Sequence, residues 1–346
     1  MNNVVDDIFK KHIKSAQYTL QEVCSTLYLN SILIATKPYG TFCEDFIAEV
    51  LNRIQKKGYQ VYKYVVLGPK EYIQRDILRI QYRYLFKMAV EGDCFFTNED
   101  YKAMKYIYAS KYKQYDRYKI IPAYQLVHKY GLTNQDVISL WCEGTQNPYY
   151  LKNDFRGVNK VGDHKYIFLT QDKRVNNGEH FYLLNGLAVQ LDEEQKEQKE
   201  KLIAFVIVGN PRHSSTWKEM REEFLGDHAY PAYCPMGSIR YDAYSGIIKT
   251  NQKSENRNNV MHMSSGPLES LLEEMLWMQI PMENSVLGKT LFDSGFSKRD
   301  ISNFLLNPTI RKQNETIDLF SLTEKMDMEE LIDTLRTIRR YEKLPV

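Results

Sequence analysis

The sequence of 346 residues has no paired-cysteine spacing, no long apolar run and no surplus of charge of either sign. Its five cysteines, Cys24, Cys43, Cys94, Cys142 and Cys234, are odd in number and widely spread, with no C-x-x-C and no histidine at ligand spacing. That pattern argues against a disulfide framework or a zinc site and fits a reduced, cytoplasmic protein. No stretch approaches an uninterrupted membrane span, and the opening MNNVVDDIFKKHIKS sets acids before bases without an apolar centre. Neither a membrane nor a secretory route is therefore expected. Forty-six basic residues against 44 acidic ones leave a net charge of +2, too weak a field to select nucleic acid or an anionic surface as partner. Internal repeats and low-complexity tracts are also missing. What is present is core material: 43% hydrophobic residues, over a length suited to one elaborated domain or two ordinary ones.

Periodicity organises the chain. Ile8, Ile13, Tyr18, Leu20, Val23 and Leu27 predict an N-terminal helix with an imperfect apolar stripe. SILIATKPYG, 31–40, reads as a strand closed by Lys-Pro and a glycine turn. Phe46, Ile47, Val50, Leu51 and Ile54 recur at helical spacing, and Gly58 stands where a helix C-cap belongs. YQVYKYVVLG, 59–68, alternates as a strand does, and 70–90 returns to helical character. From about 91 to 178 the periodicity weakens, apart from a helix at 133–142, and the stretch reads as an inserted subdomain. LDEEQKEQKEK, 191–201, reads as a solvated turn or helix end. KLIAFVIVGN, 201–210, is the clearest strand, and Ser214 and Ser215 cap a helix over 214–225. NVMHM then reads as a strand and GPLESLLEEMLWM as a helix with Pro267 in its first turn. Residues 284–346 form a helical extension.

Without the insertion and the ends, the order β-α-β-α … β-α-β-α predicts an α+β fold. The expected form is a ferredoxin-like sandwich, a four-stranded antiparallel sheet covered by helices, with a large insertion and helical terminal extensions. The expected boundaries are an N-terminal helical extension over 1–30, a core domain over 31–283 interrupted at about 85–178, and a C-terminal extension over 284–346.

The ends of these elements carry the chemistry. ATKPYG follows the first strand, GSIRYDAY precedes the last, and NVMH leads into S-x-G-x-x-E-x-x-x-E on the final helix. In order and placement these segments resemble the nucleoside diphosphate kinase family. That family's pattern is a Lys-Pro-Asp-Gly loop, a Gly-Thr-Ile-Arg-Gly-Asp segment and Asn-x-x-His-Gly-Ser-Asp ahead of a glutamate-bearing helix. The resemblance covers about 31–80 and 180–280 and implies a phosphotransferase. It makes His262 the nucleophile, with Glu273 orienting its ring, Ser264 beside it and Lys37 acting on the transferred group. It assigns phosphate contacts to Lys37, Arg240 and Arg221, the sugar to Asn259 and the base to Phe181 of HFYLLNG. Mg2+ would arrive with the nucleotide, held by phosphates and water rather than by a protein cage. The partners implied are a nucleoside triphosphate and a diphosphate or another small phosphoryl acceptor; a homo-oligomer is allowed, whereas nucleic acid and membrane are not expected.

These residue types suit the reaction. Phosphoryl transfer spreads negative charge over three oxygens and asks mainly for positioned cations, which guanidinium forks and a loop lysine supply. A histidine nucleophile needs one nitrogen unprotonated and the other held. Taken singly, His262 is a hydrogen-bonded structural histidine, Lys37 a surface lysine, Arg240 a loop arginine, and Asn259 and Ser264 turn or capping residues. His213 and His228 read as structural. The Lys/Tyr stretch 101–119 reads as a helix with a buried aromatic side and a solvated basic side, with base stacking as the weaker reading. The sequence departs from the family at Tyr39, at Met263-Ser264-Ser265 and at Tyr241, positions beside the phosphate-facing ones. Those departures bear on assembly and nucleotide fit, and they admit an alternative: a catalytically idle nucleotide-binding or scaffold protein of the same fold.

Overall fold

The computed structural model describes residues 9, 28–37, 43–147, 149–197, 199–228, 231–250, 260–312 and 315–341. Apart from Phe9, the expected N-terminal helix lies outside the described residues up to Tyr28, as does the turn after Lys37. The chain is α+β and divides into two compact units, one of residues 1–75 with 199–346 and the other of residues 76–198.

The first unit is built on β1 (Asn30–Thr36), α1 (Glu44–Lys56), β2 (Gln60–Leu67), β3 (Leu202–Gly209), α2 (Trp217–Gly226), α3 (Ile239–Tyr244), β4 (Met261–Met263) and α4 (Pro267–Met278). The latter part of α2, Met220–Gly226, is a π-helix. The strands form one antiparallel sheet in the order β2-β3-β1-β4. The central strands NSILIAT and LIAFVIVG are buried along their whole length, so both lack the polar alternation of a half-exposed strand. On α1, Phe46, Ile47, Val50, Leu51 and Ile54 share the buried face, while Glu44 and Asp45 sit at the positive end of the helix and Arg53 and Lys56 at its negative end. Gly58 follows at φ +82°, and a Cβ there would lie 2.8 Å from the His213 carbonyl oxygen and from Ser214 Cα. Only glycine fits the conformation and the space.

β4 is three residues long, so among the described residues much of that edge of β1 has no strand beside it. Ser270 of α4 seals it: its Oγ accepts from Leu33 N at 2.9 Å and donates to Ser31 O at 3.0 Å. The main-chain groups of a buried edge need partners, and here a helix supplies them.

The C-terminal region packs on the outer face of α4. Leu268 and Leu271 of α4 join Leu287, Leu291, Phe304, Leu331 and Leu335 in a second core, built with α5 (Val286–Asp293), α6 (Lys298–Leu305) and α7 (Met328–Tyr341). Asp327, just before α7, accepts from Asn30 Nδ2 at 2.6 Å and from Trp217 N at 2.7 Å, which ties this region to β1 and α2.

The second unit carries a mixed sheet. Strand Lys119–Pro122 runs parallel to His180–Leu184, which pairs antiparallel with Lys165–Gln171 and, through it, meets Asn159–Gly162. This unit begins at Asp76 and ends at Gln198, beyond both expected limits of the insertion, 85 and 178. The reason is strand pairing: HFYLL finds its partners at 119–122 and 165–171, so it belongs to the second sheet. LDEEQKE is the end of the helix Gly186–Glu197, the second of its two expected readings, and GSIRYDAY holds the helix α3, capped by Ser238. No helix among the described residues is long and apolar enough to cross a membrane.

Candidate functional site

Alternation along β4 buries Met261 and Met263 in the core of the first unit and turns His262 to the other side. His262 pairs with Ala35 on β1, and Lys37 N donates to Val260 O at 2.9 Å, so the end of β1 lies against the start of β4. The His262 side chain is 16% exposed and Glu273 is fully buried. His262 Nε2 stands 2.8 and 3.0 Å from the two Glu273 carboxylate oxygens. Ser264 Oγ donates to the same carboxylate at 2.5 Å, and Ser264 N donates to Leu33 O at 3.1 Å. A carboxylate only accepts, so it fixes the proton on Nε2 and leaves the lone pair on Nδ1.

Two arginines hold the free edge of β4. Arg221 Nη1 donates to Met263 O at 2.8 Å, and its Nη2 meets Asp227 at 2.6 Å. Arg240, 8% exposed, donates to Met261 O at 3.3 Å, Gly226 O at 2.8 Å and His228 O at 3.3 Å. The carbonyls on either side of the histidine are thus gripped where a further strand would have paired. Burial holds the His262 pKa well below the ordinary imidazole value; Glu269 opposes this, and the charges of Lys37, Arg221 and Arg240 reinforce it. The ring is neutral with a field of three cations upon it.

The motif that carries the resemblance includes Glu269 but gave it no role, and Asp227, Glu324 and Lys325 lie outside that motif. Glu269, in the first turn of α4, accepts from Ser265 N, and burial followed by the neighbouring Glu273 charge pushes its pKa up. Its position three residues after the cap residue Gly266 is a capping signal readable in the sequence. Lys325 comes from the C-terminal region: its N donates to Ser265 O at 2.9 Å, and its Nζ meets Asp227 at 2.6 Å and Glu222 at 3.0 Å. A Cβ on Gly266 would lie 2.6 Å from Thr323 O, so glycine is what lets this segment cross the start of α4. Burial raises the pKa of Glu324 beside it. No short-range signal could have brought 323–325 to 265–266.

His262, Glu273 and Ser264 therefore form one hydrogen-bonded cluster, with Lys37, Arg221 and Arg240 within electrostatic range. Asn259 lies outside the described residues. Phe181 is a correction: it is fully buried on strand His180–Leu184 of the second unit, between Lys119 and Thr170, and has no open ring face for a base.

No protein-family model and no curated protein matches the chain. Among solved structures, an NDP kinase from Pyrobaculum aerophilum is similar at 14% identity and a TM-score of 0.30, over 72% of this chain and 95% of that one. That likeness does not place the chain in a family.

Proposed function

We propose that the chain is a phosphotransferase that moves the terminal phosphate of a nucleoside triphosphate through His262 to a nucleoside diphosphate or another small acceptor. The observation that carries this reading is the Glu273–His262 contact at 2.8 Å. A buried carboxylate there fixes the tautomer and opposes the positive charge that the ring gains as it is phosphorylated. Nδ1 attacks the terminal phosphorus, the N–P bond forms, and the bridging P–O bond breaks with its electron pair leaving on the diphosphate. The acceptor's oxygen then reverses the process. Lys37, at the end of β1, is the cation for the transferred group, while Arg221 and Arg240 contribute their field from the edge of β4. Mg2+ would enter on the nucleotide and neutralise phosphate charge. Glu269 and Glu273 are engaged with Ser265 and with His262 and Ser264, so phosphates and water would hold the ion. The β-α-β connection through α1 and the strand order β2-β3-β1-β4 support a ferredoxin-like sandwich for the first unit.

A second reading has its own observation. Arg221 and Arg240 bind main-chain carbonyls, and Arg221 also binds Asp227, which suits a catalytically idle nucleotide-binding or scaffold protein. That reading gives no role to a buried carboxylate on the ring, so we favour catalysis. Incubation of the full chain with γ-labelled ATP and Mg2+ separates them. Phosphotransfer yields an acid-labile, base-stable label that is absent from His262→Ala; bound nucleotide without label would establish the idle reading.

A further inference from the structure

In the second unit, residues 101–119 hold six tyrosines, five lysines and Arg117 against one acid, Asp116. The structure divides the tyrosines. Tyr108 is fully buried, whereas Tyr101 on helix Asn98–Tyr108 is 50% exposed. Between Tyr101 and the segment after the helix opens a cavity of about 240 Å³, lined by Tyr101, Met104, Tyr115, Asp116, Tyr118 and Ile120. Its walls are supported from behind. Tyr118 meets Tyr112 and Tyr182 edge-on, each at 6.2 Å, and His180 at 5.6 Å, while Tyr182 Oη donates to Tyr115 O at 3.0 Å. A preformed aromatic cavity spares a ligand the entropy of ordering it.

The chemistry of the wall and the rim selects the ligand class. Tyrosines with one carboxylate would suit an organic cation, but the excess of lysine and arginine along the segment repels one. A purely apolar ligand would leave Asp116 without purpose. A nucleotide meets all three features: its base stacks on the tyrosines, an exocyclic amine donates to Asp116, and its phosphate finds the rim cations. Lys105, one helical turn from Tyr101 and on the same face, and Arg117, between Asp116 and Tyr118, are exposed and are the cations next to the lining residues available to that phosphate. We infer that this cavity binds the amino-bearing base of a nucleotide, either free or within a single strand. This inference does not rest on the phosphotransfer reading.

The test uses the full chain with CMP, UMP, and twelve-residue oligo(C) and oligo(U). CMP and UMP differ at the edge that Asp116 would read. Binding is followed by calorimetry and fluorescence anisotropy, and ultraviolet crosslinks are mapped by mass spectrometry. Expected are crosslinks within 101–120, a preference for cytosine over uracil that Asp116→Asn erases, and weakening by about fivefold or more in Tyr101→Ala. Oligo(C) binding well above CMP, and falling with salt, makes the ligand a single strand; equal binding makes it a free nucleotide, and either supports the site. Binding of none of the four probes, crosslinks confined to other segments, an unchanged affinity in Tyr101→Ala, or displacement by tetramethylammonium overturns it. Tyr101 and Asp116 are exposed, and circular dichroism and the melting temperature of each variant separate loss of the site from loss of the fold.

Discussion

Replacing Glu273 with glutamine probes the contact on which the phosphohistidine reading depends, because it keeps the shape and removes the charge. In the native site one carboxylate accepts from His262 Nε2 at 2.8 Å and from Ser264 Oγ at 2.5 Å. An amide can preserve both contacts in one orientation: its oxygen faces Nε2 and its NH2 donates to Ser264 Oγ, which turns its own proton to Leu33 O, 3.3 Å away. The tautomer then survives, and the loss is the difference between a charge-assisted and a neutral hydrogen bond, about 1–2 kcal/mol. That predicts a labelling step slower by about 5- to 30-fold. In the opposite orientation the NH2 faces Nε2, the ring proton moves to Nδ1 and the nucleophilic lone pair is lost. Rapid-quench measurement of acid-labile label gives the rates, and ¹⁵N spectra of the imidazole report which nitrogen carries the proton. Labelling of Glu273→Gln within twofold of the native rate, or a native ring protonated on Nδ1, would refute the reasoning.

Three further outcomes follow from the same region. Because burial and the surrounding cations hold His262 below its ordinary value of 6.5, labelling should stay within twofold between pH 8 and pH 5; an imidazole titrating normally would lose about thirtyfold. Burial raises Glu274, whose Oε1 accepts from Ser31 Oγ at 2.7 Å, to about 7 from 4.5. A raised carboxyl keeps a proton that the unfolded chain releases, so stability falls as pH rises from 4.5 through 7. Glu274→Gln should therefore be more stable by about 3 kcal/mol at pH 8 and by less than about 1 kcal/mol at pH 5, read from denaturation followed by tryptophan fluorescence. Gly266→Ala should cost about 1–3 kcal/mol, since its Cβ meets the backbone oxygen of Thr323 at 2.6 Å; an unchanged melting temperature would show that the C-terminal segment does not rest on α4.

Local pattern and tertiary placement divided the protein between them. The continuous apolar runs of β1 and β3, and the three- and four-residue spacing of α1 with Gly58 behind it, identified those elements because burial and helix termination leave marks within a few residues. The strand-to-helix seam at His262 was legible in the same way, but Glu273 was named as its partner only by the resemblance; eleven residues separate them, and the fold brings them to 2.8 Å. Which sheet a strand joins is a long-range choice. HFYLL has the apolar run of a buried strand in either unit, and only its pairing with 119–122 and 165–171 buried Phe181 away from any base. Likewise a basic side chain carries no sign of its partner. Only the folded edge of β4 made Arg221 and Arg240 carriers of main-chain carbonyls, and only the packing of the C-terminal core on α4 brought Lys325 to Asp227. Hydrophobic periodicity specifies faces and ends of elements, whereas the pairing of charges and strand edges is decided by what the collapsed chain leaves unsatisfied.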